Sequence, residues 1–179
     1  PLQARCCLLT NIIPSIYMFN QTLLETCSNT CAVSGFEEGM RAVFRHELEG
    51  CGETTSLPAG EFCQLEGNGP KVAMVAHMDE IGFMVQGVTP DGFLLIVPLG
   101  GWWNHTLPSQ RMLVQTRDGR SIPGQVGTKP PHLLPADQRR NVMDDASLFI
   151  DIGASSQAEV ESLGIRPGCA VVPDVKLQP

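Results

Sequence analysis

Residues 72–85 read VAMVAHMDEIGFMV, two apolar runs interrupted by His77, Asp79 and Glu80. A charge placed inside a buried strand is costly to desolvate unless it is paired or coordinates a metal. A histidine at the end of a strand is held on rigid backbone, and a carboxylate close by can fix its tautomer and raise its basicity. The set suits the first piece of a metal site, with Glu80 facing solvent at a junction. The competing reading is a core histidine whose ring nitrogens are satisfied by neighbours, and the isolated motif does not separate the two. Of the other histidines, His46 falls in an amphipathic helix and His105 in a polar loop, both solvated, and His132 in KPPHLL reads as the polar tip of a rigid Pro-Pro turn. The adjacent Trp102 and Trp103 are expected to pack one into the core and one against a neighbouring subunit. Asn104-His105-Thr106 fits a glycosylation sequon, which carries meaning only in a secreted protein.

The elements that must position these residues follow from periodicity. A first helix is expected over Gln21–Ser28. Ser34 with Glu37 three residues on has the capping-box spacing for a second, in which Met40, Val43, Phe44 and Leu48 recur at helical intervals opposite Arg41, Arg45, Glu47 and Glu49. That apolar stripe implies packing on a sheet, and Gly50 and Gly52 end the helix. GNGP (67–70) turns into a buried strand Lys71–Ala76, and a second strand covers Gly82–Val88. TPDG (89–92) leads into the apolar run FLLIVPLGG, and Asp118-Gly119 centres a hairpin within 111–127. LFIDIGA (148–154) reads as a strand, 155–165 as a short helix capped by Ser155 or Ser156, and RPGCAVVPDVKL as a turn and closing strand. The chain is thus αβ before about residue 80 and β-rich after it, with the change at the histidine.

Composition bounds the function. At 179 residues and 42% hydrophobic the chain can bury a core as one domain or two small ones. A net charge of −7 without a basic run disfavours sequence-independent nucleic-acid binding. No apolar stretch is long enough for a membrane-spanning helix. Seven cysteines, at 6, 7, 27, 31, 51, 63 and 169, are odd in number and form no CxxC pair, which implies reduced thiols in a cytoplasmic protein. A disulfide framework in a secreted protein is the alternative, because six of them fall in the first 63 residues. Asn11 and Pro14 interrupt the apolar N-terminus, so residues 1–17 read as an extension and not a signal peptide.

Taken in order, VSGFEEGMR (33–41), GPKVAMVAHMDEIGFMV (69–85), GGWW (100–103), GQVGTKPPHLL (124–134), SLFIDIGASS (147–156) and GIRPG (164–168) make the sequence similar to one known group. It resembles the N-terminal half of the dinuclear metallo-aminopeptidases related to glutamyl and deblocking aminopeptidases, the family-42 metallopeptidases, some of which have been labelled endoglucanases. The resemblance implies an α/β fold, part of an αβα zinc-peptidase domain with an inserted β-rich, barrel-like apical (dimerisation) domain. Residues 1–17 would be the extension, 18–79 the start of the peptidase domain, 80–170 the apical domain and 171–179 a truncated return. It implies that His77 ligates one of two divalent ions, zinc or cobalt, with Asp79 supporting it, and that a peptide substrate loses its N-terminal residue. Family members assemble into dimers and tetrahedral particles, so a homo-oligomer is expected.

The family's bridging aspartate, its other acidic ligands, its distal histidine and its general-base glutamate follow the point where this chain stops. Asp144, Asp145, Asp151 and Asp174 lie in β-unit motifs and do not replace them. The isolated chain is therefore expected to carry one ligand, to be inactive alone, and to leave sheet edges uncovered. Cys169 stands where the family commonly has an acid, and 53–66 matches only loosely. Two further readings stand beside the peptidase: a non-catalytic self-association module derived from the apical domain, and, less well supported, an endoglucanase, for which no flanking carboxylate pair is identifiable.

Overall fold

A computed structural model describes residues 20–178; the extension at 1–17, with Cys6 and Cys7, lies outside the described residues. These residues divide into two units, one holding 20–32, 37–79 and 177–178, the other Val33–Phe36 and Glu80–Lys176.

The first unit opens with helix α1, Gln21–Asn29. Asn20 caps it, its side-chain oxygen accepting the Leu23 N–H at 3.0 Å. Helix α2 spans Glu38–Glu47, with Glu37 at the N-cap and no side-chain cap bond. The helix begins later than the expected Ser34–Glu37 capping box would start it. Phe36 N–H instead closes a turn on the Val33 carbonyl at 2.7 Å, and Gly35 within it has φ +88°, so the chain is not yet helical where that box would begin.

Strands β1, Glu53–Leu57, and β2, Gly60–Gln64, form an antiparallel hairpin with Leu57 opposite Gly60. Arg41 of α2 reaches over its tip. One guanidinium nitrogen donates to the Leu57 and Gly60 carbonyls, both at 3.0 Å, and the other to Pro58 at 3.1 Å. Glu61, its side chain fully covered, accepts from Arg45 at 2.8 Å, Arg41 at 3.3 Å and the Ser56 hydroxyl at 2.9 Å. Arg45 also pairs with Glu38. The helix thus meets the hairpin through its charged face, opposite the apolar stripe expected to pack on a sheet, while no α2 residue is fully buried.

The buried strand expected over Lys71–Ala76 is not formed among the described residues. Residues 71–79 pair with nothing in a ladder, and Val72, Met74 and Val75 are 82%, 96% and 93% exposed.

The second unit is a closed antiparallel barrel in the order β3-β4-β7-β6-β5-β8, built from β3 Gly82–Val88, β4 Leu94–Leu99, β5 Arg111–Gln115, β6 Ser121–Thr128, β7 Leu148–Asp151 and β8 Ala170–Pro173. Alternate positions point inward: Phe83 and Val85, Leu94 and Ile96, Met112 and Val114, Leu148 and Ile150 are buried in one core. Each such side chain contributes about 1.5–3 kcal/mol when fully withdrawn from water. Helix α3, Gln157–Ser162, carries a reciprocal cap, with Ser156 accepting from Glu159 N–H and the Glu159 carboxylate accepting from Ser155 N–H at 2.9 Å. It buries Val160 against the core. Trp102 stacks on Phe83, ring centroids 4.9 Å apart, and donates its indole N–H to the Gly82 carbonyl at 2.9 Å. Trp103 is 76% exposed beside His105. Among the described residues no helix is long and apolar enough to cross a membrane.

Candidate metal-ligand site

The candidate ligand sits at the end of the unpaired segment. One residue beyond Asp79 the chain is held again, because Glu80 forms a parallel bridge with Val33. His77 has an 87% exposed side chain, and its Nδ1 lies 2.8 Å from the Asp79 carbonyl oxygen and 3.2 Å from the Asp79 carboxylate. Both partners are acceptors, so Nδ1 carries the proton and donates. The lone pair of the neutral ring is then on Nε2, which is the form an imidazole must take to ligate through that nitrogen.

The structure therefore brings His77 and Asp79 together as the residue types suggested. The part it adds is the Asp79 carbonyl. A backbone oxygen carries no residue-type signal; only the two-residue spacing, short enough for a side chain to fold back on the main chain, points to it.

The other candidates are elsewhere and occupied. Asp145 accepts the Asn104 amide, Asp151 accepts Gly153 N–H at 2.8 Å, and Asp174 pairs with Arg111 at 2.8 Å. His46 and His132 are exposed, the latter in the 3-10 turn Pro131–Leu133. The sequon asparagine Asn104 commits its amide nitrogen to the Met143 carbonyl at 2.8 Å and to Asp145 at 2.6 Å, so the nitrogen a glycan would need is already engaged. Among the described residues no group of three or more His, Cys, Asp or Glu gathers to hold an ion. Zinc takes about four donors, so His77 fits as one ligand and the described residues do not complete a site.

Electrostatics are marked elsewhere in the chain. Burial pushes the Glu61 carboxyl up, but the hydrogen bonds from Ser56 and Arg41 and the charges of Arg45 and Arg41 outweigh it and hold the pKa below the usual value. Asp118, at the tip of the β5–β6 hairpin, is lowered by its hydrogen bonds from the Thr116 hydroxyl and Arg120.

The M42 glutamyl aminopeptidase family model covers residues 60–179. The putative aminopeptidase FrvX of Escherichia coli K12 is 41% identical over 157 residues, 87% of this chain and 44% of that protein. The TET aminopeptidase of a marine sediment Thaumarchaeota archaeon superposes with a TM-score of 0.82 at 34% identity, over 88% of this chain and 45% of its own. The TET1 peptidase of Pyrococcus horikoshii, which can assemble into a tetrahedron or a large octahedral shell, superposes with a TM-score of 0.75 at 28% identity, over 86% of this chain and 46% of its own. The chain spans less than half the length of these relatives, and it belongs to the M42 glutamyl aminopeptidase family.

Proposed function

We propose that this chain carries the N-terminal portion of a metal-dependent aminopeptidase that removes N-terminal residues from peptides, with His77 as a metal ligand and Asp79 as its positioning residue. The observation that carries the reading is the exposed His77 ring, held through Nδ1 by the Asp79 carbonyl and carboxylate. Two divalent ions, zinc or cobalt, would supply Lewis-acid activation of the scissile carbonyl and of a water. The chain's own contribution is to present one nitrogen in a fixed direction and tautomer. One nitrogen does not bind a divalent ion firmly, so the described residues acting alone are inactive, and turnover requires donors they do not supply.

In this reading residues 18–79 begin an αβα peptidase domain, the barrel at 80–170 is its apical, dimerisation domain and 171–179 lead back to the peptidase domain. The homo-oligomer is supported by the assemblies of the P. horikoshii relative. A cytoplasmic location is supported by the thiols of Cys27, Cys63 and Cys169. The closed barrel with its own core favours one second reading, a non-catalytic self-association module.

Calorimetric titration of the chain and of His77→Ala with zinc or cobalt, followed by a leucyl- or glutamyl-anilide assay, separates the two. Weak binding that is lost in His77→Ala, without turnover, is the expected result. Stable oligomers indifferent to metal would leave the association module standing.

A further inference from the structure

We propose that Asn68 is a site of spontaneous deamidation, converted by water alone, with no enzyme or cofactor, to isoaspartate and aspartate. The Gly69 amide nitrogen attacks the side-chain carbonyl carbon of Asn68. The new N–C bond closes a succinimide ring, the bond to the side-chain nitrogen breaks, and ammonia leaves with the Gly69 amide proton. Water then opens the ring, at the backbone carbonyl to give isoaspartate or at the side-chain carbonyl to give aspartate. The attack needs an unhindered nitrogen, an N–H that no acceptor holds, and backbone free to turn about the asparagine. Asn68 and Gly69 meet all three: both are exposed in a bend that follows β2 and belongs to no ladder, and among the described residues neither makes a hydrogen bond. Even a Cβ added at Gly69 would meet nothing within 4 Å. Pro70 narrows the conformations of Gly69, but the attack turns about Asn68. Asp91-Gly92 and Asp118-Gly119 could close the same ring with loss of water, and the barrel prevents it. Gly92 N–H is donated to the Thr89 carbonyl and Gly119 N–H to the Thr116 carbonyl, both at 3.0 Å, and the Asp118 carboxylate is tied to Thr116 and Arg120. The other asparagines among the described residues precede Gln21, Thr30, His105 and Val142, whose side chains shield the attacking nitrogen. Conversion would place a negative charge, and in isoaspartate an additional main-chain carbon, in the link between β2 and the 71–79 segment.

The test is a timed incubation of the chain at mildly alkaline pH, folded and in concentrated urea, followed by trypsin digestion and mass spectrometry. The tryptic peptide His46–Lys71 contains Asn68 as its sole asparagine. Isoaspartate is counted separately, by enzymatic methylation with labelled S-adenosylmethionine. Gly69→Ala is the second sample: its methyl group meets no neighbour and no left-handed backbone, so the fold is kept while the nitrogen is shielded. The expected result is an amide-to-acid mass gain at Asn68, with isoaspartate the larger product and an acidic shift on isoelectric focusing. The rate should be the same folded and in urea, and slower by about tenfold in Gly69→Ala, the factor that about 1.4 kcal/mol of added barrier gives. Over the same time in the folded chain, Asn104, Asn141, Asp91 and Asp118 should stay unconverted. An Asn68 that keeps its amide, or that converts much faster in urea than in the folded chain, overturns the inference. So does conversion at the native rate in Gly69→Ala, or earlier conversion at Asn104, Asn141 or either Asp-Gly pair.

Discussion

At the scale of single residues, Ser109 shows how much a position can be asked to tolerate. It is the non-glycine residue with a left-handed backbone among those described, at φ +69°, and it is held there by its N–H on the Val126 carbonyl at 2.9 Å and by Gln125 donating to its own carbonyl at 3.2 Å. A side chain in that region costs about 1–2 kcal/mol, and glycine returns part of the gain as unfolded-state entropy. Ser109→Gly is expected to raise stability by about 0.5–1 kcal/mol in denaturant unfolding; a loss would show that the hydroxyl matters more than the backbone. What was legible in sequence at this scale is the pairing of His77 with Asp79, because residue type and spacing carry it. The left-handed serine and the carbonyl partner of His77 were not legible, because neither is written in a side chain.

At the scale of elements, short-range signals were read correctly and long-range ones were not. The β3–β4 and β5–β6 hairpins, the Ser156 cap of α3 and the existence of α1 and α2 follow from turn, cap and periodicity signals a few residues apart. The partner of Arg41 and Arg45 is Glu61, 20 and 16 residues away, so the sequence placed both opposite the apolar stripe without showing what they meet. Lys71–Ala76 failed for a related reason: apolar composition marks a segment that can be a strand, but a strand exists only with a neighbour. The Glu61 network makes a pH prediction. Its pKa is lower folded than unfolded, so its contribution is fully present above the unfolded value near 4.3 and is lost as pH falls through the folded one. Glu61→Gln should therefore flatten the acid limb of the stability curve and speed amide exchange in β1 and β2 at neutral pH. An unchanged acid limb in pH-dependent melts would remove Glu61 from the account.

At the scale of the whole molecule, the two units differ in what they complete. The barrel pairs every one of its six strands on both sides and buries a continuous core, whereas the first unit exposes Leu57, Phe62, Leu65 and the 72–75 segment. Hydrogen exchange should follow that division: amides of β3–β8 are expected to be protected by the barrel's cooperative stability, and those of 71–79 to exchange nearly as fast as an unfolded chain. Equal protection in both would mean that the first unit is covered in solution. The barrel's closure has one more consequence, which follows from which strands meet. β3, where the chain comes in, lies beside β8, where it goes out, with Phe83 opposite Val171. The two ends are therefore one strand spacing apart, about 5 Å. A rigid body with neighbouring ends acts on the rest of the polypeptide as a very short tether, whose closure entropy does not depend on how many residues lie inside it. Lengthening or trimming the 19-residue excursion between β6 and β7, whose base is the Thr128–Leu148 pair, would thus be unfelt by the host segments. Excising the whole barrel and joining its ends with a few glycines is a feasible engineering operation.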